Sequence, residues 1–189
     1  MKKVAIFGDL TAMFDAKTEF KKNINYELVD RSIKNHLKIE SFFRSKFYTL
    51  FHPENPAQVN FVKMLEANLG WSVETKQPRE VRRPSNSTGS PHKNYRFDAQ
   101  IAYDIGESTG DDCDTIVVVS DSLELLKPLI TASKYQDLNV IVAFFSDAMD
   151  RRWWPGMKQS GIQFVDLGEI MHSTRMSNVS EVQESARFE

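Results

Sequence analysis

One cysteine, Cys113, is all that 189 residues contain, which excludes an internal disulfide framework and any multi-cysteine zinc site. Long apolar runs are missing as well: none approaches the roughly 20 residues that a membrane-crossing helix needs. The opening MKKVAIFGDL has the charged start of a signal peptide, but Asp9 cuts its apolar stretch short, so it reads as a first strand. A cytoplasmic protein is the expectation. Net charge is also scarce, formally -2, which argues mildly against a protein that coats nucleic acid. The first strand runs into Gly8-Asp9-Leu10, without the Gly-x-Gly-x-x-Gly turn that would cradle a pyrophosphate, so a dinucleotide-binding enzyme ranks low.

What is present suffices for one core. With 41% hydrophobic residues, thirteen Phe and three Trp, the chain suits a single aromatic-rich domain. VAIF (4–7), TIVVVS (115–120) and NVIVAFF (139–145) are continuous apolar runs of strand length, the pattern of strands buried on both faces of a parallel sheet. FYTLF within 42–51, WSVETKQ (71–77) and IQFVDL (162–167) are further strands. Helical spacing places Leu28, Ile33 and Leu37 on one face, and Val59, Val62, Met64, Leu65 and Leu69 on another, with Gly70 as a stop. In FDAQIAYDIGE the stripe runs through Ala99, Ala102 and Ile105. A helix after Asp121 or Ser122 contains Pro128, which implies a kink or a restart. Alternating strands and helices predict a three-layer α/β fold with a mostly parallel central sheet flanked by helices. The domain is expected over 1–172, with a long basic loop near 78–96 and a polar, loosely attached tail over 173–189.

Ligands bind an open parallel sheet outside the carboxyl ends of its strands. Asp9, Asp121 and Asp147 each follow a strand there, and Asp98 opens a predicted helix. Gathered carboxylates resist full ionisation unless a cation neutralises them, and oxygen-only ligands suit Mg²⁺ or Mn²⁺. Such a site activates water against a phosphodiester. Turn and cap roles compete for each Asp individually. Asp15, Asp104, Asp111, Asp112 and Asp114 read as turn or surface residues.

The order of segments resembles the NYN/LabA-like branch of the PIN-like nuclease superfamily. VAIFGDLTAMF resembles its opening strand and acidic turn, YRFDAQIAYDI its internal helix opened by Asp, and DTIVVVSDSLELLKPLI its third strand with the following Pro-Leu helix. NVIVAFF and FVDLGEI resemble the closing strands, so the likeness spans about 3–170. It implies a PIN-like, Rossmann-like fold and metal-dependent RNA cleavage. Asp9, Asp98 and Asp121 would then be the catalytic and metal-binding acids, with Glu124 as a fourth. Leu10 and Ala12 replace the Gly and Asn of the family turn, and Arg96-Phe97 its internal Lys-Gly. A second reading follows from these departures: a catalytically degenerate domain acting as an RNA-binding or protein-interaction module.

Around the acids, the Thr11 hydroxyl is a candidate contact to a phosphate, with a turn bond to backbone as the alternative. Arg79, Arg82, Arg83, Lys93 and Arg96 are candidates to grip a phosphate backbone, against a merely solvated basic loop. Trp153 and Trp154 either stack on bases or anchor a loop to the core. A homodimer is open to the chain through a sheet edge or that Trp loop. Cys113 reads as an inert thiol, and the four histidines have no metal-ligand spacing.

Overall fold

The computed structural model describes residues 2–20, 24–77, 96–108, 113–135 and 138–174. Its frame is a six-stranded, all-parallel sheet in the order β3-β2-β1-β4-β5-β6. The strands are β1 (Val4–Asp9), β2 (Arg44–Leu50), β3 (Ser72–Lys76), β4 (Thr115–Val119), β5 (Asn139–Phe144) and β6 (Gln163–Asp166). Strands β1 and β4 are buried throughout and β5 at all but its first residue, as their unbroken apolar runs predict. Towards the edges, β3 and β6 are only partly covered.

The helices are α1 (Leu10–Phe20), α2 (Tyr26–Leu37), α3 (Pro56–Leu69), α4 (Asp98–Ser108), α5 (Leu126–Tyr135), α6 (Trp153–Ser160) and α7 (167–174). Helix α2 packs on α3, and α4, α5 and α6 pack in succession on one another, so helices flank the parallel sheet in the predicted three-layer arrangement. Asn25 caps α2 by accepting from the Leu28 amide, and Asn55 caps α3 by accepting from that of Ala57. Gly70 ends α3 at φ 67°, a left-handed conformation that glycine adopts without steric cost. The chain enters α5 through a 3-10 turn, Leu123–Leu125, and Pro128 falls in the first turn of the helix, where no intrahelical N–H is needed. The proline thus marks a restart, and no mid-helix break results.

Packing corrects the expected faces in two places. On α4 the buried residues are Ile101, Asp104, Ile105 and Ser108; Ala99 is exposed and Ala102 half-buried. The large Ile side chains, not the alanines, carry the apolar area, and Asp104 turns inward because Lys46 neutralises it. On α3 only Leu65 is fully buried, while Phe61, Met64 and Leu69 pack at the margin of the core. Helices α1, α6 and α7 are not among the helices expected from the sequence, although Asp9 caps α1 and Gly161 ends α6. Helix α7 buries Met171 and Thr174. The basic loop, except Arg96, and the tail from 175 onward lie outside the described residues. Among the described residues no helix is long and apolar enough to cross a membrane.

Candidate functional site

The order 3-2-1-4-5-6 reverses direction between β1 and β4, and such a switch point opens a crevice at the carboxyl ends of the strands. Asp9 is the last residue of β1 and Asp121 lies just past β4, with Gly8 paired to Val119 in the ladder. Asp98 is the first residue of α4, which packs over β1. Three elements distant in sequence therefore bring Asp9, Asp98 and Asp121 to one crevice.

Asp9 is buried, and its Oδ1 accepts the Thr11 amide at 2.8 Å and the Ala12 amide at 3.2 Å. It thus caps α1, the structural role that the sequence sets beside a site role for this residue. Burial pushes its pKa up to about 6; the two amides oppose the rise, and the charges of Asp98 and Asp121 add to it. Burial likewise raises the Asp121 carboxyl, against the pull of Arg96, and the charge of Asp15 adds to the rise. Asp15 is exposed on α1, not in a turn.

Arg96 holds the cluster together. Its Nη2 donates to Asp121 Oδ1 at 2.9 Å, and its Nε stands 3.8 Å from Asp98 Oδ2. The other Asp98 oxygen, Oδ1, is buried and has no hydrogen-bond partner among the described residues. The Asp121 carbonyl accepts the indole N–H of Trp153 at 3.1 Å, and Ser120 Oγ accepts the Ser122 amide at 3.1 Å. Trp153 is wholly buried, which makes it the loop anchor, while Trp154 is partly exposed and edge-on to Phe164.

The remaining candidates lie elsewhere. Thr11 Oγ1 accepts the Leu50 amide at 3.4 Å, tying α1 to β2 and not to its own backbone. Glu124 is exposed in the 3-10 turn, where its charge acts on Arg152. Asp147 is exposed in a second 3-10 turn after β5. Asp104, expected on the surface, is buried and pairs with Lys46 at 3.0 Å. Asp114 Oδ2 accepts the Lys3 amide at 2.7 Å, joining the starts of β1 and β4. Cys113 is buried, and burial raises its thiol further from ionisation, in keeping with an inert role. Arg79, Arg82, Arg83, Lys93, Asp111 and Asp112 fall outside the described residues.

Among the described residues no three His, Cys, Asp or Glu side chains stand ready-made around a metal position. Chemically, however, the donors fit a hard divalent cation: they are all carboxylate oxygens, one of them buried and unpartnered. Arg96 supplies the positive charge they otherwise lack. Sequence reasoning missed this counterion role, and it missed Tyr48, the ladder partner of Asp9, whose ring stacks on Phe97. Gly8 is needed for packing, since the Phe47 ring lies where its Cβ would be.

Neither a family model nor a curated protein matches the chain. The chain is similar to the crystal structure of a protein of unknown function from Vibrio parahaemolyticus, with a TM-score of 0.65 and 19% identity over 87% of this chain and 92% of that one. This likeness shows the fold. Homoserine dehydrogenase from S. aureus matches at a TM-score of 0.36 and 14% identity over 88% of this chain and 33% of that one, too loosely to carry an argument.

Proposed function

We propose that the protein is a divalent-metal-dependent hydrolase of phosphodiester bonds, an endoribonuclease, with Asp9, Asp98 and Asp121 as its acids. The observation that carries this reading is their convergence at the switch point, where Asp9 feels the charges of the other two and its pKa stands near 6. Structural caps do not need such company. Asp9, Asp98 Oδ1 and Asp121 would hold Mg²⁺ or Mn²⁺, which supplies an activated water and neutralises charge developing on the phosphate. Below about pH 6 the Asp9 carboxyl holds a proton that a bound cation would have to displace, so binding would be coupled to pH. Arg96, half exposed, exchanges its carboxylate partners for a phosphate oxygen pair, a match to its planar fork. A homodimer, if formed, has the partly covered edge strands β3 and β6 to pair through.

One observation favours the second reading. Arg96 neutralises two of the three acids without any metal, as a binding module that has lost turnover would require. Incubation of labelled single-stranded RNA with Mn²⁺ separates the two. The hydrolase cleaves it, EDTA stops cleavage, and Asp121→Asn is inactive; binding without cleavage in any metal leaves the module.

A further inference from the structure

Beside the acidic crevice, α4 leaves part of the β2–β3 surface open as a groove of about 440 Å³. Its floor includes Lys46, Tyr48 and Glu74, and its wall includes Gln100, Tyr103 and Glu107 of α4. Tyr48 pairs with Asp9 in the β1–β2 ladder, so groove and crevice are one strand apart, about 5 Å. From this geometry we infer that the groove is the seat of a nucleobase of single-stranded nucleic acid, stacked on Tyr103, whose adjoining phosphate lies at Arg96 and the three acids.

Three features point to a base. Tyr103 is 65% exposed, yet its hydroxyl donates to Glu107 Oε1 at 2.7 Å, which steadies the ring. A fixed, exposed aromatic face is the element on which unpaired bases stack. Next, Tyr48 is wholly buried beneath the groove and, among the described residues, its hydroxyl has no hydrogen-bond partner, a deficit that a ligand polar atom would meet once the lining side chains part. Finally, the charge is wrong for a phosphate. Lys46 is already held by Asp104 at 3.0 Å and by Glu74 at 3.2 Å, and Glu107 adds a further carboxylate. Acceptors of this kind suit the amino and imino donors of a base edge. Charge therefore sorts the ligand: phosphate to Arg96, base to the groove.

The inference rests on the proposed reading in one respect, that a phosphodiester occupies the neighbouring crevice. The test is fluorescence anisotropy with a fluorescein-labelled RNA decamer in EDTA, so that binding is read without turnover, against an abasic ribose-phosphate decamer. Wild type should bind the RNA at least tenfold more tightly than the abasic strand. Tyr103→Ala should lose about tenfold on RNA and nothing on the abasic strand. Tyr48→Phe, with its fold checked by circular dichroism, should lose a few-fold. Equal binding of the two strands, equal binding by wild type and Tyr103→Ala, or no binding overturns the inference. So does a Tyr103-dependent response to a lysine-rich peptide alone, which would make the groove a cationic peptide site. Cleavage without Tyr103 dependence leaves the hydrolase and removes the base site; Tyr103-dependent binding without cleavage does the reverse.

Discussion

Replacing Asp9 by Asn should stabilise the fold near neutral pH. The carboxyl is buried, and its pKa rises from the ordinary 3.8 to about 6. Holding it ionised in the folded chain then costs about 3 kcal/mol at pH 7.5. The sign follows from which state holds the proton. The folded chain keeps the Asp9 proton where the unfolded chain has lost it, so stability falls as pH rises from 3.8 through about 6. Asparagine has no such cost, and its Oδ1 still accepts the Thr11 and Ala12 amides, though as weaker neutral bonds. The net gain should be about 1–3 kcal/mol at pH 7.5, shrinking markedly by pH 4.5. Urea denaturation reads this as a midpoint raised by about 0.5–1.5 M at the higher pH. A variant destabilised equally at both pH values would refute the reasoning, because Asp9 would then be an ordinary cap. The gain in stability should accompany a loss of activity, as expected where a site is held at a cost to the fold.

Gly8→Ala should destabilise by about 1–3 kcal/mol or more, since its Cβ meets the Phe47 ring, which is stacked on Trp71 and has no room to retreat; an unchanged melting temperature would contradict that packing. Asp30→Ala removes the acceptor of the Trp71 indole N–H at 3.0 Å and should cost about 1–3 kcal/mol in urea denaturation. Arg96→Gln removes the cation that holds Asp121 down, so the Asp121 carboxyl should titrate at higher pH by carbon-13 NMR. An unmoved titration would break the assigned ion pair. Stability should change by less than about 1 kcal/mol, because Arg96 is half exposed.

Much of the frame is legible in the chain because doubly buried strands leave an unmistakable trace. VAIF, TIVVVS and NVIVAFF read directly as β1, β4 and β5, and the acids after the first two, Asp9 and Asp121, mark the crevice, whereas Asp147 after the third lies outside it. The limits of the reading have physical reasons. Helix α1 starts at the Asp9 cap and buries Leu10, Met13 and Ala16 at helical spacing, a stripe too short to stand out beside the apolar run of β1. On α4, volume decides the buried face, so Ile101 and Ile105 prevail over the alanines. Arg96 reads as a free phosphate-gripping residue until Asp98 and Asp121 are seen to share it. Tyr48 carries no motif at all; only strand register places it beside Asp9.

The central claim is that Asp9, Asp98 and Asp121 form one acidic site for a divalent cation. Calorimetric titration of Mn²⁺ into the wild type and Asp9→Asn, at pH 7.5 and pH 5, tests it directly. Binding should be saturable at pH 7.5, at least tenfold weaker at pH 5 where the Asp9 carboxyl, with its pKa of about 6, is protonated, and at least tenfold weaker in the variant. Binding that ignores both pH and Asp9, or no binding at millimolar Mn²⁺, would contradict it.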